Sequence, residues 1–387
     1  MNNAYVVGYG LIDALGNNPT DCFSNMLNGQ DYNQTIPELV EEDYKIHRGL
    51  VVNEELIQLP LDHPKTLTKM QRMAFHAVQQ ALDMSKLPAN DNVAVVTTTI
   101  INGMATQEEI HDKLTNRKRI HPRVLLNSIP DMIANHISLH YGYHGATTGI
   151  MAACASGLTA IDYAMRLLDE YDYVIVVGGD AGCIPLSMKY FHSLGAMSNY
   201  SKPFDDTRDG FVMGEGCAVF ILQSEEMVKK YNSKVHAKLY PVGLANDAYH
   251  DTSPDPDGKG ASLAMTKALK NVNGEIHAVN SHATSTPLGD VVEYQAISKL
   301  LHHVPIYAPK GKLGHTMGAS GIVEAVYAIE SMKQKIIPHI HNLDQCSIDS
   351  FNSLVRENLP LPNTQILRTL NNSFGFGGKC ASQVIEF

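Results

Sequence analysis

Short apolar runs alternate along this chain with longer stretches in which apolar positions recur every three or four residues. The runs suit strands buried on both faces and the longer stretches suit amphipathic helices. The pattern therefore predicts an α/β protein with strands enclosed by helical layers. Strands are expected at 4–10 (AYVVGYG), 92–99 (NVAVVTTT), 173–179 (YVIVVGG), 217–222 (CAVFIL) and 276–281 (IHAVNS), and helices at 69–83 and 260–270. Two segments echo each other: CASGLTAIDYAMRLL at 154–168 and GASGIVEAVYAIESM at 318–332. Both open on small residues and continue with a helical apolar stripe, Leu158, Ile161, Met165 and Leu168 in the first, Ile322, Ala325, Val326 and Ile329 in the second. Each follows a β-rich segment, TTGIMAA or VPIYAPK. Two matching strand–turn–helix units suggest a duplicated architecture, although small residues also open helices without any duplication.

At 387 residues and 44% apolar content, the chain can bury a large core, as two or three domains or as two halves sharing an interface. A formal net charge of −10 argues against nonspecific nucleic-acid binding, which needs a cationic surface, but leaves room for one local basic patch. The opening MNNAYVVGYG lacks the cationic start and apolar stretch of a signal peptide, and no apolar run is long enough to cross a bilayer. Cys22, Cys154, Cys183, Cys217, Cys346 and Cys380 are scattered without a CxxC pair, which suits free thiols in a reducing compartment. A soluble cytoplasmic protein is the expectation.

Among the cysteines, Cys154 stands where a strand should end and a helix begin. Unpaired amides at a helix start favour negative charge, so a thiol there is expected to have a lowered pKa and a larger thiolate fraction. Small neighbours (Ala153, Ala155, Ser156, Gly157) allow a tight turn beside it. Free cysteines are as a rule inert core residues, so the local sequence alone leaves both roles open. Cys217 and Cys183 read as packing residues. Three further segments are rich in chemistry: VNSHATSTPLGD with His282 at a strand end, APKGKLGHTMGASG with Lys310 and His315 around a glycine turn, and NNSFGFGG, whose glycines let backbone amides approach a ligand. With 18 histidines in the chain, none of these segments decides the matter by itself.

Taken together, MAACASG, SKPFDDTRDGFVMGEG, NDAYHDTSP, HATSTPLGD, KGKLGHTMGASGIVEA and NNSFGFGG stand in the order and spacing of the elongating β-ketoacyl-acyl-carrier-protein synthases, types I and II. The opening AYVVGYGLIDALGNN resembles that family's first strand and loop, and the resemblance runs over essentially the whole chain. It implies a thiolase-like five-layered αβαβα fold of two similar halves. Residues 1–230 would carry the nucleophile and 231–387 the His/His/Lys groups, with the echoing helices as the central pair.

Carried over by motif position, Cys154 would be the acyl-accepting nucleophile, His282 and His315 the histidine pair, and Lys310 the active-site lysine. Thr284 and Thr286, with Thr252 and Ser253, would contact the phosphopantetheine arm. Phe376 would be the gating phenylalanine, its amide joining that of Cys154 in an oxyanion hole. Asn280, Glu324 and Asn372 would hold a structural monovalent cation. The implied reaction is decarboxylative condensation of the acyl group with malonyl-carrier protein, with no cofactor beyond the phosphopantetheine that the carrier brings. The implied partners are an acyl-carrier protein and a second synthase chain, in a homodimer or a heterodimer with another ketosynthase. Carrier proteins are acidic, so Lys118 and Arg119 in RKRIHPR, at the family's docking position, together with Lys65, Lys69, Arg72 and Lys202, would form a basic docking surface.

The chain departs from its relatives in three places. Ala283 replaces the glycine of HGTSTP, TTTIINGM replaces a glycine-rich strand end, and Lys379-Cys380 follows GFGG. These changes are expected to bear on acyl preference. A degradative thiolase would need a second cysteine in CxGxG, which GGKCAS does not match. An initiating type III synthase would have asparagine in place of His282. A non-catalytic partner subunit would lack Cys154.

Overall fold

The computed structural model describes residues 2–60, 66–88, 92–122 and 124–387. Strands β1 (Ala4–Asp13), β2 (Val93–Thr98), β3 (Thr147–Gly149), β4 (Tyr173–Asp180) and β5 (Gly216–Gln223) form one half of a mixed sheet in the order β1-β5-β4-β2-β3. The β4–β2 and β2–β3 pairs are parallel, and the β1–β5 and β5–β4 pairs antiparallel. Strands β2, β4 and β5 are buried along their full length, which is why they read as continuous apolar runs rather than alternating ones.

The other half comprises β6 (Ala237–Leu239), β7 (Gly243–Asn246), β8 (Ala278–Asn280), β9 (Ile306–Tyr307), β10 (Arg368–Gly375) and β11 (Lys379–Glu386). Its order is β9-β8-β10-β11, with β7 also on β11. Strand β6 pairs with both β1 and β11, so hydrogen bonding runs unbroken through eleven strands.

Helices α1 (Lys69–Ser85) and α2 (Met132–Tyr141) cover the outer face of the first half. Thr68 and Gln71 close the start of α1 in a reciprocal capping box. Helix α3 (Ser156–Leu167) lies against the inner face, and α4 (Lys259–Leu269) and α5 (Gly289–Leu300) cover the second half. Two more helices follow, the short α6 (Lys310–Leu313) and the long α7 (Ser320–Gln334). Helix α7 packs on α3 and touches both halves of the sheet. It is buried at every position from Ser320 to Met332, as a helix enclosed on all sides must be. The layers are therefore α1/α2, sheet, α3/α7, sheet, α4/α5, the expected five-layered αβαβα arrangement.

The two echoing segments form the central pair α3 and α7. They meet at Gly157 and Gly321, where an added Cβ would lie 2.7 Å from the Ile322 amide nitrogen or 2.9 Å from that of Leu158. All five expected strands and both expected helices form. The hairpin β10–β11 was not expected: its first strand, RTLNNSFG, is polar yet buried through Thr369–Ser373. The side chains of Asn371, Asn372 and Ser373 are taken up by neighbours, so hydropathy gave no sign of it. No helix among the described residues is long and apolar enough to cross a membrane.

Candidate active site

Cys154 occupies a turn just ahead of the first residue of α3. Ala153 before it has φ +48°, an unusual conformation for a residue with a Cβ, and a strain that clusters at functional turns. Two hydroxyls hold the turn: Ser156 Oγ accepts from Ala152 N (2.7 Å) and donates to Ala153 O (2.5 Å), and Ser373 Oγ donates to Cys154 O (2.7 Å). The tip of the β10–β11 hairpin comes as close, since a Cβ on Gly375 would stand 2.8 Å from Cys154 N.

His282 follows the end of β8. Its amide and that of Ala283 donate to the two oxygens of Glu293 on α5 (2.8 and 2.7 Å). His315 lies between α6 and α7, its amide bound to Val212 O. Its Nδ1 receives the Met317 amide (3.3 Å) and lies 2.9 Å from Ser320 Oγ. A neutral imidazole that accepts at Nδ1 carries its proton on Nε2. Nε2–H thus faces Cys154 Sγ, 3.0 Å away. The two imidazoles meet edge to face at 5.5 Å, and the ligating atoms of Cys154, His282 and His315 all lie within 4.8 Å of one another. Ser285 (φ +64°) and Met317 (φ +52°), close after the two histidines, repeat the backbone strain seen at Ala153.

Lys310 opens α6 and is fully buried, its Nζ 2.5 Å from Glu324 Oε1 on α7. Burial first, and then the Lys310 charge, hold both histidines well below their ordinary pKa, so the imidazoles are neutral. Burial pushes the Cys154 thiol up to about 12, with Lys310 opposing. The sequence led us to expect a lowered thiol pKa. The resting group is instead a desolvated thiol, because enclosure outweighs the adjacent amides and the lysine. Alkylation of Cys154 by iodoacetamide should therefore accelerate continuously from about pH 7 to about pH 10. A plateau starting near neutrality, measured by peptide mass spectrometry, would contradict this.

A cavity of about 350 Å³ opens from Cys154, His282 and His315 to the surface, and Thr284, Thr286, Thr252, Ser253 and Phe376 all line it. The Thr284 and Thr286 hydroxyls are 3.3 Å apart. Phe191, Phe211, Met317 and Phe374 supply its apolar wall. Ala283 also lines it, and its φ is not positive, so no glycine is needed there. Cys380 reaches the same cavity with its Sγ toward Gly378 O and Asp247. Ile101 of TTTIINGM instead packs into the neighbouring apolar cluster with Phe211 and Met317. The amides of Ile100 and Ile101 are tied to the buried Asp180, which also accepts from Thr99 and Gly318.

The remaining expected groups divide. Asn280 donates to Glu324 O and Asn371 Oδ1, leaving Asn280 Oδ1 and Glu324 Oε2 buried without partners. These oxygens fit a hard monovalent cation. Asn372 does not join them: it points to the opposite face of β10, donating to Glu293 and accepting from Ser382, while its neighbour Asn371 faces the cluster. Lys69 is not a free docking cation, since it binds the buried Glu215 (2.5 Å), whereas Arg72 pairs with the exposed Glu54 at the surface. Lys118 and Arg119 are exposed, with Lys118 loosely paired to Asp112 (3.5 Å). Lys202 reaches Thr207 at 3.1 Å. Lys65 lies outside the described residues.

Sequence reasoning missed the supports. Glu293, eleven residues after His282, Ser320, five after His315, and Ser373 sit where helix and strand spacing returns them to the site. Only the position of each on a helix or strand could have pointed to it.

A cysteine at a strained turn and two neutral imidazoles at the end of one cavity, with the buried Lys310–Glu324 pair behind them, on a doubled α/β fold, have the make-up of an acyl-transferring enzyme. Residues 1–227 match the profile described as "Beta-ketoacyl synthase, N-terminal domain", and residues 236–344 match "Beta-ketoacyl synthase, C-terminal domain". Among curated proteins, the chain is similar to the 3-oxoacyl-acyl-carrier-protein synthase 2 of Vibrio harveyi, 31% identical over 98% of this chain and 97% of that protein. It is also similar to the synthase of the same name from Staphylococcus aureus, 29% identical over 98% and 97%. A solved structure of a "type II PKS acyl-carrier protein in complex with its ketosynthase bound to the hexaketide" superposes with a TM-score of 0.88 at 23% identity, over 99% of each chain. The chain belongs to the beta-ketoacyl synthase family. It is an acyltransferase of Claisen condensation in fatty-acid or polyketide elongation.

Proposed function

We propose that Cys154 carries the growing acyl group and that His282, His315 and Lys310 condense it with malonyl-carrier protein. The observation that carries this reading is the 3.0 Å approach of His315 Nε2 to Cys154 Sγ at the closed end of a cavity lined by Thr284, Thr286 and Phe376. The sulfur attacks the acyl thioester, the acyl carbon passes to Sγ and the carrier thiol leaves. The Cys154 and Phe376 amides are the donors for the tetrahedral oxyanion, and one such donor is typically worth about 10²–10³ in rate. The malonyl thioester then enters and loses CO₂. The two neutral imidazoles donate N–H bonds to its thioester oxygen as enolate charge develops. The resulting carbanion attacks the acyl-Cys154 carbonyl, a carbon–carbon bond forms and the C–S bond breaks. Each step uses groups of the chain and of the carrier, so no redox cofactor is required. A monovalent cation held by Asn280 and Glu324 would occupy their two orphaned oxygens and take no part in bond making. The six free cysteines suit a reducing cytoplasm.

Intact-mass measurement after incubation with acyl-carrier protein tests the reading. An acyl adduct on Cys154, discharged by malonyl-carrier protein, is the expected result. An enzyme that stays unmodified would overturn it.

The carrier would dock on the exposed segment holding Arg117, Lys118 and Arg119, together with Lys202, whose amide donates to Ser285 between the cavity-lining Thr284 and Thr286. Reversing Lys118 and Arg119 to glutamate should raise KM for carrier-borne substrate by about tenfold or more. Turnover of a free pantetheine thioester should not change. Equal loss on both substrates, seen in steady-state kinetics, would remove this segment from the docking surface.

Strand β3 is one edge of the sheet, and Leu125, Ile129, Leu139 and Met151 are exposed on or around the elements packed there, with Leu139 81% accessible. Such a face is costly in water. We assign it to a second copy of the chain. Sedimentation at micromolar concentration should give a dimer that Leu139→Glu dissociates, whereas a wild-type monomer would refute the assignment.

A further inference from the structure

We infer that Cys154, His282 and His315 form a binding site for a thiophilic divalent cation, zinc above all, whose occupancy blocks the thiol. One sulfur and two imidazole nitrogens are the ligand chemistry that selects such an ion over magnesium or calcium, which require oxygen. The three ligating atoms lie within 4.8 Å of one another. A tetrahedral zinc sets such atoms roughly 3.3–3.6 Å apart, so closure asks for side-chain shifts on the order of an ångström. The fourth position would face the cavity and be open to water or an anion, as in sites with three protein ligands.

The surroundings favour ligation. His282 Nδ1 is buried and has no hydrogen-bond partner, so nothing fixes its tautomer and either nitrogen can present a lone pair. For His315, ligation through Nε2 moves the ring proton to Nδ1, where Ser320 Oγ at 2.9 Å can accept it. That is the outer hydrogen bond metal-bound histidines usually make. The 3.3 Å contact from the Met317 amide is the one given up. Lys310 is the opposing charge, but its ammonium is ion-paired with Glu324 at 2.5 Å, so the pair adds little net charge. Binding converts the Cys154 thiol to a zinc-bound thiolate and releases one proton to solvent, and no electron is transferred.

The inference needs only this geometry and does not depend on the substrate assigned above. The test is titration of the metal-stripped full-length enzyme with zinc chloride, with magnesium chloride as control, while the rate of Cys154 alkylation by iodoacetamide is followed by mass spectrometry. Zinc should slow alkylation at least about tenfold with 1:1 stoichiometry, magnesium should not, and chelation should restore the rate. Cobalt(II) in place of zinc should give an absorption band of thiolate-to-metal charge transfer. That band should vanish in Cys154→Ala and weaken in His282→Asn, by more than the roughly 10–100-fold affinity loss typical of outer-sphere changes. It should survive in Cys346→Ser, which alters a thiol elsewhere. Undiminished alkylation under saturating zinc, or a cobalt band that persists in Cys154→Ala, would overturn the inference. Loss of metal binding with acyl loading of Cys154 intact would refute this site and leave the condensation reading standing.

Discussion

Replacing Cys154 with alanine should lower condensation by on the order of 10⁴-fold or more, the scale seen when a covalent nucleophile is removed from a site whose other groups act with it. The fold should survive, because the side chain is small and the turn is held by Ser156 and Ser373 rather than by the sulfur. The variant should retain both imidazoles and the cavity, and so bind malonyl-carrier protein with affinity close to that of the wild type. The measurement is radiolabelled elongation with acyl- and malonyl-carrier protein, with thermal unfolding alongside. Residual condensation within about tenfold of wild type would remove Cys154 from the mechanism.

The second large effect falls on stability. Lys310 and Glu324 are 1% and 0% exposed, and removing one member of such a pair leaves a buried charge without its partner. Lys310→Met should destabilise the protein by about 3–5 kcal/mol. Burial already pushes Glu324 up to about 7 with Lys310 opposing, and losing the lysine raises it further. A carboxyl whose folded pKa lies above its unfolded value stabilises the fold while protonated and loses that contribution as pH rises through the folded pKa. The penalty of Lys310→Met should therefore be smaller near pH 5 than near pH 8. Adding Glu324→Gln should recover much of the stability without restoring turnover, since the ammonium beside the histidines would still be missing. Denaturant unfolding at the two pH values checks this. A penalty independent of pH and unrelieved by the second change would show that Lys310 acts through packing alone.

Much of this was legible beforehand because fold and chemistry rested on features a sequence displays. The buried strands β2, β4 and β5 are continuous apolar runs. The glycine-led helices α3 and α7 repeat each other, and Cys154, His282, Lys310 and His315 lie in segments dense with glycine and hydroxyls. What was hidden depends on three-dimensional proximity. Asn371 and Asn372 differ only in the face of β10 they occupy, and an error of one residue exchanged a side chain bonded to Asn280 for one serving Glu293. Lys69 reads as a surface charge because nothing local shows that the buried Glu215 takes it up. The thiol pKa went astray because the sequence shows the helix start but not the enclosure.

The close approach at Gly157 and Gly321 bears on how such a protein diversifies. Two backbones touching without an intervening side chain leave no rotamer to absorb a change, so the starts of the two helices are fixed against each other, and the turns just ahead of them, which carry Cys154 and His315, are anchored at both. Residues lining the chamber can then be exchanged to suit new acyl groups while the reacting distance stays constant. Selectivity can change on one set of positions while reactivity rests on another.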